Sequence, residues 1–222
     1  MELYIVRHAQ SGNNAIYART QATVGRSEDP ELTELGTQQA ALVAKVLGQP
    51  YLPATGKNRA AEIYNANGFG LTHLYCSLMV RAIHTGLAIA ETTQLPLVAW
   101  PDWHETGGIF YEDPETEVRT GLAGKPRRYF EEHFPSLKLP DEINPGGWWN
   151  RPFENHEQQY ARAERLVAEL LARHGQSEDR VAVVTHGAFY NRFLRALLKL
   201  DYDQAAWFTL LNCSITRIDI YE

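Results

Sequence analysis

Cysteine is almost absent. The 222-residue chain has only Cys76 and Cys213. It has no CxxC pair and no Cys/His metal spacing, so neither a disulfide framework nor a metal centre is indicated. Both cysteines read as small buried hydrophobes in strand-like contexts. No apolar run is long enough to cross a bilayer, and no basic stretch with an apolar core opens the chain. A membrane partner and a signal peptide are therefore not expected, and the expected location is cytoplasmic. Excess positive charge is also missing. The formal net charge is -6, which argues against a nucleic-acid partner held by phosphate neutralisation. A small anionic substrate stays open, because a local arginine cluster can focus positive field within an acidic protein. Internal repeats and low-complexity tracts are lacking too.

What is present is an ordinary globular mixture, 44% hydrophobic and 22% charged, sufficient for a real core. We expect one domain over residues 1–222, with residues 101–152 as an inserted lid. Five segments read as strands: 2–7, 72–76, 97–100, 181–185 and 214–220. The first and fourth are nearly continuous apolar runs, as in strands covered on both faces, and the last alternates like an outer strand. Helices are expected between them. One is capped by Thr33, carries Leu35, Leu42, Val43, Val46 and Leu47 as its stripe, and stops at Gly48. The others span 80–93, about 154–174, and 188–200. This alternation predicts an α/β three-layer sandwich, a central and mostly parallel mixed sheet with helices on both faces. Two stretches break the pattern. Residues 51–70 read as a surface excursion with a short helix. Residues 101–152 mix Trp103, Phe110, Tyr111, Tyr129, Trp148 and Trp149 with Arg119, Lys125, Arg127, Arg128 and Arg151. Long loops of this kind inside a domain usually cover a binding site.

Four strand ends carry chemistry. Leu3-Tyr4-Ile5-Val6 runs into Arg7-His8-Ala9-Gln10-Ser11, with the polar loop Ser11-Gly12-Asn13-Asn14 behind it. Cys76-Ser77 precedes a helix that bears Arg81 on its first turn. Trp103-His104-Glu105-Thr106-Gly107-Gly108 follows the third strand, and Thr185-His186-Gly187-Ala188 joins the fourth strand to a helix. In a parallel sheet these ends share one edge, so Arg7, His8, Arg81, Glu105 and His186 can converge. Two guanidinium forks and two imidazoles suit a dianion. Helix N-termini behind Ser77 and His186 are expected to add free N–H groups. A neutral histidine can attack phosphorus, and a carboxyl can protonate the leaving oxygen and then activate water. Glu112, Asp113 and Glu115 lie near enough in sequence to replace Glu105.

Arg7-His8-Ala9-Gln10-Ser11 with Asn14 resembles the Arg-His-Gly motif of the histidine phosphatase superfamily, the phosphoglycerate mutase-like proteins. Asp29-Pro30-Glu31-Leu32-Thr33-Glu34-Leu35-Gly36 with Gln39-Ala40 resembles the family's Leu-Thr-x-x-Gly-x-x-Gln-Ala helix start. Ser77 with Arg81-Ala82, Glu105 with Gly108, Thr185-His186-Gly187, and Asn212-Cys213-Ser214-Ile215 resemble its later motifs, in its order. The resemblance implies His8 as the phosphorylated nucleophile. Arg7, Arg81 and His186 then hold the phosphate, Glu105 is the general acid/base, and Asn14 is an accessory pocket residue. Ser11, Gly187 and Ala188 join the same phosphate or substrate contacts. Ala9 stands for the usual Gly, Gln10 for the usual Glu, and Ala188 for the usual Gly. None of these changes removes a charged catalytic group.

The bland readings sit beside these. Asn14 can hold its own turn. His84, His104, His133, His156 and His174 read as surface or packing residues, with His104 able to line the site, and His73 reads as structural. Trp148-Trp149 reads as lid packing. Lys125, Arg127 and Arg128 would ordinarily be a solvated helix face. Because they lie in a segment expected to cover an anion, Arg127 and Arg128 are candidate substrate contacts. The expectation is a metal-independent phosphomonoesterase acting through a phosphohistidine on a small phosphorylated metabolite, without a cofactor and with a homodimer allowed. The first alternative is a cofactor-dependent phosphoglycerate mutase. It is disfavoured because Gly107-Gly108-Ile109-Phe110-Tyr111 stands where mutases carry Arg-x-Tyr-Gly-x-Leu-x-Gly. The alternative from another class is a non-catalytic anion-binding protein.

Overall fold

The computed structural model describes residues 1–52, 64–202 and 206–221. In chain order the elements are β1 (Glu2–Arg7), α1 (Gly12–Thr20), α2 (Glu34–Leu47), β2 (His73–Cys76), α3 (Val80–Thr93), β3 (Leu97–Ala99), a 3-10 turn (Pro101–Trp103), β4 (Phe110–Glu112), β5 (Arg119–Gly121), α4 (Arg127–His133), α5 (His156–His174), β6 (Arg180–Thr185), α6 (Gly187–Leu198) and β7 (Ile215–Asp219). The main sheet has the order β3-β2-β6-β1-β7. β3, β2, β6 and β1 run parallel, and β7 pairs antiparallel with β1 at the edge. This is the expected α/β fold, with the apolar strands β1 and β6 inside and the alternating strand outermost.

Strand periodicity splits the core in two. Tyr4, Val6, Leu74, Cys76, Ala182 and Val184 face α2 and α3 on one side. Leu3, Ile5, Tyr75, Val181 and Val183 face α5 and α6 on the other. Side chains alternate across the sheet, so one strand supplies both cores. Burying each large apolar side chain contributes about 1.5–3 kcal/mol.

Three local expectations are corrected. Residues Gly12–Asn14 are not a loop but the first turn of α1. Ser11 and Asn14 form a reciprocal capping box there, and α1 buries none of its residues. A helix with no buried stripe leaves no hydrophobic period to read. In α2 the inward face is Gly36, Ala40, Val43, Ala44 and Leu47, while Leu35, Leu42 and Val46 are exposed. Close approach decided this: a Cβ on Gly36 would lie 2.0 Å from the Gln10 carbonyl oxygen, so the small-residue stripe must face inward. Leu171 and Leu198, at the ends of the α5 and α6 stripes, are likewise exposed. Finally, residues 101–152 are not loop throughout. β4 and β5 form a hairpin and α4 packs Phe130 into the core. In the 51–70 excursion, expected to carry a short helix, residues 53–63 lie outside the described residues.

Candidate functional site

Register builds the site. Arg7 is opposite Thr185 and Cys76 is opposite Val184, so β1, β2 and β6 end level. The next residues, His8, Ser77 and His186, therefore emerge side by side. The His8 amide donates to the Thr185 carbonyl at 2.9 Å, and the His8 and His186 ring centroids are 5.0 Å apart. Arg81 reaches the same point from the first turn of α3, with its Nε–H donating to His8 Nε2 at 3.2 Å.

His8 Nδ1 lies 2.7 Å from the Ala9 carbonyl oxygen. A carbonyl only accepts, so Nδ1 carries the ring hydrogen and Nε2 keeps its lone pair. Burial, followed by the neighbouring Arg81, holds His8 well below the ordinary histidine pKa. The ring is thus a neutral base whose free nitrogen faces a guanidinium. His186 is held low in the same way, by burial first and Arg81 second. Its Nε2 is 2.7 Å from Ser77 Oγ, which already accepts the Met79 amide. Ser77 is fully buried and its hydroxyl hydrogen has no other acceptor among the described residues, so it goes to His186 Nε2 and the His186 ring hydrogen sits on Nδ1.

The two helix N-termini at this edge are each capped by a carboxylate from elsewhere in the chain. Asp29 Oδ1 accepts the Val80 amide of α3 at 3.0 Å and lies 3.6 Å from Arg81 Nη1. Glu105 takes the α6 end: Oε1 accepts from Phe189 at 2.8 Å and Oε2 from Ala188 at 3.2 Å. The Thr106 amide adds a third bond at 2.8 Å. A carboxylate at a helix N-terminus is favoured by the dipole and the unpaired amides. This corrects the expectation of free helix amides for an anion. Ala188 donates its N–H to Glu105, so it is not an open anion contact. Gly187 lies against the Arg7 guanidinium, which a Cβ there would approach to 3.4 Å.

What does remain open is a set of donors. Arg7 Nε, Arg81 Nη1 and His186 Nδ1 are buried and have no hydrogen-bond partner among the described residues, and Asp29 Oδ2 is buried without one as well. An unmade bond at such a group costs about 1–3 kcal/mol, and more where the group is charged. Three orphaned donors on two guanidinium groups and an imidazole fit an oxyanion. His8 is 3% exposed, so the cluster is covered.

Asn14 holds its own turn. Its Oδ1 accepts from the Ser11 amide and hydroxyl, holding the turn. It also accepts from Asn212 Nδ2, which donates in addition to the His8 carbonyl. Ser11 is spent on this turn and caps α1. Gln10 turns its side chain to the Thr33 hydroxyl at the cap of α2. Glu112 pairs with Arg119, and Asp113 caps the hairpin turn through Glu115 and Thr116. None of these acidic residues reaches the α6 end as Glu105 does.

The basic run divides. Arg127 is bound to Glu131 and to the Pro140 and Asp141 carbonyls, and Arg128 is exposed. Arg127 therefore braces its own segment and is no open substrate contact. Lys125 is the one whose charge reaches the site, since it helps keep Asp29 ionised. Trp148 and Trp149 are buried packing, as read. Trp149 lies on Gly108, where a Cβ would meet the ring at 2.1 Å, and Gly108 has φ +78°; only glycine serves there. His104 packs against Trp149 and Phe189.

Sequence reasoning missed Asp29 as a clamp on Arg81, and it missed Arg162 and Glu154 entirely. Arg162 on α5 makes a bidentate pair with Glu154, both bonds at 2.7 Å. Its third arm donates to the Asp102 and His104 carbonyls. It thereby anchors the backbone that presents Glu105. The available signal was an arginine set among the apolar positions of an amphipathic helix.

The buried histidines set a pH dependence. His8, His104 and His186 all lie well below their ordinary pKa, chiefly through burial. In the unfolded chain they titrate near ~6.5. Above that value their contribution is fully present. Below it the unfolded chain takes up protons that the native state refuses, and stability falls. Asp29 opposes this, since burial raises it to about 6. The native state then holds one more proton than the unfolded chain as pH drops through that value. Three groups outweigh one, and the net loss from pH 7 to 5.5 is about 3 kcal/mol. Urea titrations at the two pH values should show it; equal midpoints would refute the neutral burial of these rings.

The histidine phosphatase superfamily (branch 1) model matches residues 3–222. A probable phosphoglycerate mutase from Enterobacter sp. (strain 638) is 24% identical over 222 residues, covering 100% of this chain and 86% of that protein. Among solved structures, a mycobacterial glucosyl-3-phosphoglycerate phosphatase complexed with VO3 aligns with TM-score 0.59 and 22% identity, covering 98% of this chain and 90% of that one. The ecdysone phosphate phosphatase from Bombix mori, in complex with tungstate, aligns with TM-score 0.62 and 14% identity, covering 97% and 88%. With both histidine motifs at level strand ends and a family match along nearly its whole length, the chain belongs to the histidine phosphatase superfamily (branch 1).

Proposed function

We propose that the protein is a metal-independent phosphomonoesterase that acts on a small phosphorylated metabolite through a phosphohistidine at His8. The observation that carries this reading is the trio of orphaned buried donors, Arg7 Nε, Arg81 Nη1 and His186 Nδ1, gathered around a neutral His8. In this reading the phosphate dianion takes those donors. Arg81 leaves His8 Nε2 for a phosphate oxygen and so frees the lone pair for in-line attack. The guanidinium groups and His186 stabilise charge as it spreads over the equatorial oxygens. Glu105 enters the cycle in its protonated form and gives that proton to the departing alkoxide. The resulting carboxylate takes a proton from the water that then attacks the phosphohistidine, releasing phosphate and restoring His8. Residues 101–152 act as the cover that must open for substrate. The phosphatase names of two fold relatives support hydrolysis. The mutase named in the other comparison makes phosphoryl return to an acceptor the second reading.

The test is phosphate release from an aryl phosphate in excess chelator. Steady release unaffected by the chelator is expected, and a large loss would refute metal independence. Labelling by 2,3-bisphosphoglycerate and discharge by 3-phosphoglycerate, with no hydrolysis, would favour the mutase.

Two residues give sharper expectations. Glu105→Gln should lower kcat on alkyl phosphates by about 10²–10⁴. Nitrophenyl phosphate should suffer far less, because its leaving group needs little protonation. Equal losses on both would remove Glu105 from the acid role. Lys125→Met, which removes a charge that acts through Asp29 rather than a direct contact, should raise KM by less than about tenfold and leave kcat nearly unchanged. The exposed Arg128→Met should change neither. The reverse ranking would move substrate recognition to α4.

A further inference from the structure

A second cluster of chemistry-bearing side chains sits at the other edge of the sheet. His73 opens β2, Asp179 directly precedes β6, and His174 is the last residue of α5. β2 and β6 are adjacent and parallel, so these are N-terminal strand ends, across the sheet from His8 and His186. We propose that His73, His174 and Asp179 form a binding site for a divalent transition-metal ion of the Zn²⁺ class.

One ligand atom from each of the three lies within 4.8 Å of the others. Asp179 faces both imidazoles, whose ring centroids lie 4.7 Å apart. Its Oδ2 is 2.8 Å from His174 Nδ1 and its Oδ1 is 3.7 Å from His73 Nδ1. Zinc bound at roughly 2.0–2.2 Å needs donors a little over 3 Å apart. A small closure suffices, and His73, with a side chain 40% exposed, can supply it by giving up the 2.9 Å contact of its Nδ1 with Thr72 Oγ1. Donor chemistry selects the ion. Two imidazoles and one carboxylate suit Zn²⁺, Co²⁺ or Ni²⁺, whereas Mg²⁺ and Ca²⁺ want oxygen throughout. His73 and Asp179 are partly open to solvent, so water can complete the coordination.

The outer contacts fit as well. His174 Nε2 is 3.1 Å from the Tyr75 hydroxyl. With Nδ1 on the metal, Nε2 carries the hydrogen and donates it to that oxygen, the usual support for a metal-bound imidazole. Without metal, one proton must lie between His174 Nδ1 and Asp179 Oδ2. The ion takes its place, and the ring hydrogen is then carried on Nε2. Sequence spacing could not show this site, because residue 73 lies about a hundred positions from 174 and 179 and only β2–β6 pairing joins them.

The experiment is calorimetric titration of Zn²⁺ into the chelator-treated full-length protein at pH 7.5, repeated with Co²⁺ under visible absorption. One equivalent should bind with Kd on the order of 1 µM or tighter. Co²⁺ should give the d–d bands of a low-coordinate nitrogen and oxygen site. His73→Ala, at a half-exposed position, should fold normally and weaken Kd at least about tenfold, and Tyr75→Phe should weaken it less. His8→Ala should leave it unchanged, separating this site from the other histidine pair. Absence of stoichiometric binding, or unaltered affinity in His73→Ala, would overturn the proposal and leave the trio as a hydrogen-bonded tie for the end of α5.

Discussion

Replacing His8 with alanine is expected to lower kcat by at least about 10⁴-fold, as losing a covalent nucleophile does. Circular dichroism should show an unchanged fold. The Ala9 carbonyl fixes the hydrogen of His8 on Nδ1. That leaves Nε2 as the free nitrogen, with Arg81 upon it. Burial and the two arginines keep the ring uncharged, so the lone pair persists in mildly acidic solution. No other described side chain offers a neutral nitrogen beside these guanidinium groups except His186, and its Nε2 is occupied by Ser77. The variant retains Arg7, Arg81 and His186, so it should still bind an oxyanion such as vanadate while losing turnover. Rapid quenching in alkali should trap labelled phosphoprotein from the wild type and none from the variant. Turnover near the wild-type rate would end the nucleophile assignment. Loss of oxyanion binding together with turnover would mean that His8 serves the pocket rather than the chemistry.

The second large effect is on stability. Arg162→Ala should destabilise the fold by about 3–5 kcal/mol, because it strands the Glu154 carboxylate in the interior. Against a total of about 5–15 kcal/mol this is severe, and it corresponds to a fall in Tm of about 6–20 °C. The pair is nearly solvent-free, with side chains 2% and 8% exposed, and the guanidinium also lies 3.7 Å over the Phe189 ring. Lysine should not rescue, since it lacks the fork that holds two carboxylate oxygens and two carbonyls together. A double replacement, Arg162→Met with Glu154→Leu, removes the stranded charge and should regain most of the Tm. It should not regain kcat, because the Asp102 and His104 carbonyls lose their anchor and Glu105 loosens with them. Recovery of both would mean that the pair only fills space. A Tm change of a degree or two in the single variant would refute the cost itself.

Much of this was legible in the chain. β1 and β6 announced themselves as unbroken apolar runs. Arg7-His8 and Thr185-His186 sit where such runs stop, and parallel strands must end on one edge. Glu105 was found for the same reason. Other features left no one-dimensional trace. α1 has no apolar stripe, because a capping box and backbone bonds hold it. The α2 stripe was misassigned, because leucines outrank glycine and alanine on any hydrophobicity count. Close packing against the Gln10 carbonyl reversed that order. Arg127 looked like a substrate contact until the 140–141 carbonyls were seen to occupy it, while the charge of Lys125 acts on Asp29.

The sequence by itself determined the α/β alternation, the sheet's inner and outer strands, and the identity of the groups at its C-terminal edge. Periodicity and strand-end position are local properties, written residue by residue. Tertiary structure alone decided which hydrogen each imidazole carries, which donors are left unpaired, and which helix ends are closed by Asp29 and Glu105. It also brought His73 to His174 and Asp179. These depend on distances between residues remote in the chain. Such distances are set by strand register and by the volume of packed side chains, and neither has a period that a sequence can display.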